Sequence, residues 1–176
     1  MTDEPLRLPF DTVAELRVEI VRSARRKKTV QARMEGGVVR LMVPASMRPG
    51  EVDHWATEMR RRFQRQTIAK GVDLDKRAMG LARRYDLPSP ASVRWVTNQQ
   101  HRWGSCTPAS GEIRITDRLA GWPHWVLDYV LVHELAHLLH ADHSPAFHEV
   151  VDRYPKAERA KGFLLAKGLD PDDPEN

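Results

Sequence analysis

The stretch WVLDYVLVHELAHLLHA, residues 125–141, carries an apolar side chain on nearly every helical face. Pro123 suits the first turn of a helix, because its fixed φ and missing N–H cost nothing there. The pattern from there predicts a helix to about Ala141. Trp125, Val126, Leu127, Tyr129, Val130, Leu131, Val132, Leu135, Leu138 and Leu139 leave no polar face wide enough for solvent. A helix that is apolar all round is buried. Against this background stand His133, Glu134 and His137. Residues four apart share a helical face, so both imidazoles can reach one metal ion. Glu134 points about a quarter-turn away, close enough to act on a metal-activated water without being a ligand. Without a partner, an ionised Glu and two His would be costly to bury, and a metal supplies that partner. The bland alternative is a solvent-facing Glu with satisfied histidines, and it needs a polar stripe that this helix lacks.

Catalytic zinc sites take three protein ligands and keep one position open. The donors for a third ligand are His140, His143, His148 and Glu149, and spacing leaves the choice open. His140 continues the helical stripe, where a straight helix has trouble wrapping three ligands around one ion. His143 lies just past the helix end, and His148 and Glu149 sit on the next helix. Ser144 and Pro145 provide an N-cap and a first-turn proline for that helix, which stops before Pro155. A further short helix is predicted from about Lys156 to Lys167.

Working outward from this core, three β-like runs precede the helices: LRVEIV, TVQARM and VVRLMV. The first two are separated by the charged segment RSARRKK, and the last two by Glu35-Gly36-Gly37, a hairpin signal. Helices are predicted from Pro49 to about Gly71 and from about Leu74 to Tyr85. Val93–Val96 reads as a strand, GSCTPASG as a turn, and Glu112 to Thr116 as a half-exposed strand. Strands mostly first and helices mostly later make an α+β protein with N-terminal antiparallel β-hairpins.

The chain has 176 residues and one cysteine, Cys106, so no intramolecular disulfide framework exists and a reducing cytoplasm is the expected setting. No signal peptide is evident at the start, and no run approaches the roughly 20 apolar residues of a membrane span. The net charge is +4, unevenly distributed. Arg17, Arg22, Arg25, Arg26, Lys27, Lys28 and Arg33 face one acid, Glu19, and a second basic cluster is Arg60, Arg61, Arg62 and Arg65. Such runs are ordinarily solvated faces, and nucleic acid is the alternative partner.

VHELAHLLHADHSPAF resembles the signature of the YgjP-like metallopeptidases, relatives of the SprT-like zinc proteases, in which H-E-x-x-H is followed after five residues by H-S-x-x-F-W. His101-Arg102-Trp103-Gly104-Ser105-Cys106 resembles the R-W-G-S-C segment of the same family, again with a G-x-I strand behind it. The resemblance covers nearly the whole chain. It implies a minimal zincin-type core around a buried active-site helix, and one zinc ion on His133, His137 and His143 with Glu134 as general base. The corner after Ala141-Asp142 would aim His143 back at the site. Phe147-His148 departs from the family's F-W and puts a fourth possible ligand nearby.

The activity so implied is peptide-bond hydrolysis by a metal-activated water. It also implies that Glu112–Thr116 is an edge strand pairing with an extended peptide or protein substrate. Rival readings are a DNA-associated zinc protease holding nucleic acid through its basic N-terminal region, and a zinc-stabilised binding module without turnover. Cys106 as nucleophile or ligand, and Tyr154 or His101 as oxyanion partners, are weaker ideas. One metallopeptidase domain is expected over 16–168, with β-hairpins at 16–48, helices at 49–90 and the zinc-binding catalytic core at 91–168. A poorly ordered lead-in at 1–15 and an acidic disordered tail at 169–176 complete the expectation.

Overall fold

Gly36 and Gly37 have φ of +55° and +81°, the left-handed conformations that a tight β-turn demands and glycine adopts freely. They join β2 (Gln31–Glu35) to β3 (Val38–Pro44) as an antiparallel pair, with Glu35 opposite Val38. The computed structural model describes residues 16–168, so the lead-in and tail read from the sequence lie outside the described residues. Within the described residues, contacts gather in two compact units that divide between Ile68 and Ala69.

In the first unit, β1 (Val18–Ser23) does not form the expected hairpin with β2. It pairs in parallel with β3, giving the order β1-β3-β2. The reason is burial. Val39, Leu41 and Val43 are fully buried, so β3 takes the middle and the more polar strands take the edges. The basic segment between β1 and β2 is then a crossover. Arg22 anchors its start on the Ala45 and Met47 carbonyls, at 2.9 Å each. Helix α1 (Pro49–Lys70) lays Val52, Ala56 and Met59 over Leu41 and Val43.

The second unit begins with α2 (Leu74–Tyr85), capped by the Asp73 carboxylate, which accepts from the Lys76 amide at 2.9 Å. β4 (Ser92–Val96), β5 (Gly104–Thr107) and β6 (Glu112–Thr116) follow, in the order β4-β6-β5. Two expectations change here. Gly104–Thr107 is a strand rather than part of a turn, and β6 is the central strand rather than an edge. Ile113 and Ile115 are fully buried, which selects β6 for the middle.

Helix α3 (His124–Ala136) packs against α2, β5, β6, α4 (Pro145–Val151) and α5 (Ala157–Ala166). Ten of its residues are buried, from Val126 to Ala136 with only Asp128 excepted. Asp128 is clamped by Arg77 of α2 (Nη2–Oδ2 3.1 Å), so the one partly exposed acid of the helix is paired. The class is α+β. Among the described residues no helix is long and apolar enough to cross a membrane.

Leu131 lies fully buried in α3, while Leu139, beyond its end, is 50% exposed. Leu131→Ala is expected to lower stability by about 2–5 kcal/mol, since it removes apolar contact and leaves a cavity. The measurement is the urea midpoint at unchanged slope. Leu139→Ala should stay within about 0.5 kcal/mol of the parent.

Candidate metal centre

His133 occupies the last turn of α3, and His137 is its C-cap in right-handed helical conformation (φ −65°, ψ −15°). The helix therefore ends at Ala136, short of the Ala141 expected. The amides of Leu138 and Leu139 reach back only three residues, to Leu135 and Ala136 at 3.1 and 2.9 Å. This tightened turn swings the chain away from the helix axis. Six residues past His137, the chain returns with His143, just ahead of the Ser144 N-cap and the first-turn Pro145 of α4.

The three imidazoles of His133, His137 and His143 converge, with one nitrogen from each lying within 4.8 Å of the others. Nε2 of His143 is 3.2 Å from Nε2 of His133. Zinc–nitrogen bonds of about 2.0–2.1 Å at a tetrahedral angle set two donors roughly 3.3 Å apart, so the donor set fits such an ion. Nδ1 of His137 lies 3.0 Å from the carbonyl oxygen of His140, and donation to that oxygen leaves Nε2 as the available lone pair. Burial, then the neighbouring His137 and His143, depress the His133 pKa well below the imidazole norm, which favours the neutral, ligating form.

Phe147 of α4 forms a shared wall for all three rings. It stacks on His137 at 4.5 Å and meets His133 and His143 edge-on at 4.9 and 4.8 Å. This packing restricts the rotation of each imidazole.

Glu134 is buried beside them, and burial pushes its carboxyl up to about 8, against the opposing influence of the Arg102 guanidinium. Its seat is made by a missing side chain. A Cβ on Gly104 of β5 would overlap Oε1, Cδ and Cγ of Glu134. The strand is held at that approach by several contacts. The Trp103 carbonyl accepts from the Thr116 amide (3.0 Å), Gln99 donates to Ser105 Oγ (2.8 Å), and Arg118 lies 4.2 Å over the Trp103 ring.

The other sequence candidates stand apart from the cluster. His140 contributes its carbonyl, the His148 ring centre is 6.3 Å from that of His143, and Glu149 is exposed. The Cys106 thiol is pushed up to about 12, first by burial and then by the Glu134 charge, so it stays protonated and a poor nucleophile. The Tyr154 hydroxyl donates to the Trp125 carbonyl at 3.1 Å, a structural role, and His101 is exposed in the loop before β5. Gly104 and Phe147 had no role assigned from sequence. The signal was present, since both lie within the two quoted motifs.

Three converging imidazoles form a donor set that could hold a metal ion, and the buried Glu134 follows the first of them in the chain. The model of the YgjP-like metallopeptidase domain matches residues 50–165. The chain belongs to the YgjP-like metallopeptidase family. The match takes in α1 through most of α5 and leaves β1, β2 and β3 outside it. No curated protein and no solved structure matches the chain.

Gly104→Ala is expected to destabilise the fold by about 1–3 kcal/mol, the usual penalty of overpacking. Glu134→Ala removes the colliding atoms, so the double variant should recover more than about 0.5 kcal/mol relative to additivity. Chemical denaturation of the four proteins in the cycle measures the coupling. Strict additivity would mean that the two residues do not meet.

Proposed function

We propose that this chain is a zinc-dependent peptidase in which His133, His137 and His143 hold one zinc ion and Glu134 is the general base. The observation that carries this reading is the convergence of three imidazoles beside a buried carboxylate at the end of an apolar helix. Zinc in such a site supplies a Lewis acid for the substrate carbonyl and lowers the pKa of water to about 7. In this reading Glu134 accepts the proton of the attacking water at its carboxylate, which burial raises to about 8 and the Arg102 charge partly lowers again. The Gly104 seat and the Phe147 wall hold base and ligands in fixed relation, as proton transfer demands.

The substrate in this reading is an extended peptide. β6 is central in its sheet, and this moves the pairing role to β5, the edge strand that carries Gly104. That strand meets Glu134 at Gly104, and its edge position in the sheet suits β-augmentation. A site serving structure alone would more often be closed by four protein ligands, and here three converge. The lone Cys106 supports a reducing, cytoplasmic setting.

Elemental analysis of protein purified without added metal should find one zinc per chain. His143→Ala should lose zinc affinity by orders of magnitude, while His148→Ala should hold zinc like the parent. Glu134→Gln should keep zinc and fold, yet hydrolyse a mixed peptide library about 10² to 10⁴ times more slowly. Cleavage at the parent rate by Glu134→Gln would remove Glu134 from the role of base.

A further inference from the structure

The net positive charge of the described residues is concentrated in the first unit. Residues 16–68 hold thirteen Lys and Arg against five Asp and Glu, while residues 69–168 hold fourteen against eleven. Part of that excess is engaged within the unit. Arg22 binds backbone carbonyls, Arg26 fastens the Thr29 and Gln31 side chains at 3.2 and 2.8 Å, and Arg33 and Arg40 share Glu35. Arg25, Lys27, Lys28 and Arg62 are exposed, and none pairs with a carboxylate among the described residues.

Arg62 lines a groove, and the other three cations belong to the segment that leads into its wall. Lys27 and Lys28 lead into Val30, which with Ala32 forms one wall of this groove of about 380 Å³. The facing wall comes from α1, where Trp55, Met59, Arg62 and Phe63 fall along one helical face. Trp55, which lines the groove, is 37% exposed. Arg26, by bonding Gln31, ties the basic loop to the start of β2, where Gln31 and Ala32 line the groove.

We propose that this groove binds single-stranded nucleic acid, with phosphates on Arg25, Lys27, Lys28 and Arg62 and an unstacked base against Trp55. Charge complementarity selects a polyanion, and a part-exposed indole lining the groove suits a chain whose bases are free to stack. An acidic peptide would satisfy the cations and leave the ring unused. A duplex would keep its bases stacked on one another. None of these residues belongs to the metal centre, so the proposal stands or falls independently of the peptidase reading.

Fluorescence anisotropy of a labelled oligothymidylate, titrated with the full-length chain at rising salt, tests it. The log of affinity should fall linearly with log salt, with a slope of about −3 if each of the four cations meets a phosphate. Lys27→Glu combined with Lys28→Glu should weaken binding at least tenfold, a rough figure set by the same salt slope, and flatten that slope. Trp55→Ala, at an exposed position, should fold and bind about five- to 150-fold more weakly at unchanged slope, the usual stacking contribution, while Trp55→Phe keeps most of the affinity. The proposal is overturned by no binding at about 50 mM salt, or by full affinity in Trp55→Ala. It is equally overturned if a duplex of the same length binds more tightly, or if polyglutamate displaces the strand as well as unlabelled oligonucleotide does.

Discussion

The buried Glu134 carboxylate and the imidazole beside it set the terms for the second unit. Both sit in a helix with almost no polar surface, where an unpartnered charged or polar group is strongly disfavoured. Neighbouring elements are arranged around that problem. β5 comes to within touching distance because Gly104 has no side chain to obstruct it. Arg102, two residues earlier, opposes the effect of burial on the carboxyl. The apolar surroundings that make the site costly also make it rigid, because interiors are packed like organic crystals and resist small shifts.

A second consequence follows at the C-terminal end of α3. Continuing the helix would carry the chain away along the axis and leave two imidazoles without a third. The tightened turn after Ala136 does the opposite, and the carbonyl of His140 that it positions accepts from His137. One short turn thus fixes the tautomer of the second imidazole and brings back the third. Phe147, on the helix that follows, closes the ring cluster from the other side.

The two sheets share one plan. In each, the first strand runs parallel to the third, and the second lies antiparallel on the other side, so the last strand in sequence is the middle one in space. In both cases the central strand is the most thoroughly buried, with Leu41 or Ile113 at zero exposure. The outer strands carry the polar and special residues: the Gly104 seat on β5, and the groove wall on β2. The family match leaves out the first sheet, and that sheet belongs to the unit with the larger excess of basic over acidic residues.

Local chemistry was enough to place several features from the amino-acid sequence. The all-apolar run around His133, Glu134 and His137 required a buried helix with a buried polar cluster, because amphipathicity is a property of adjacent turns. Gly36-Gly37 required the β2–β3 turn, and Pro49 and Pro145 marked helix starts. Strand pairing was beyond it. Whether β1 pairs with β2 or β3, and whether β6 is central, depends on which strand gains most from burial among all those available, a comparison that only the folded chain makes. The same holds for the candidate site. The His133–His137 pair follows from helical spacing, but the convergence of His143 and the exclusion of His148 depend on a turn set by long-range packing. Gly104 faces Glu134 across thirty residues of sequence, and only tertiary structure reveals that this glycine is there to make room.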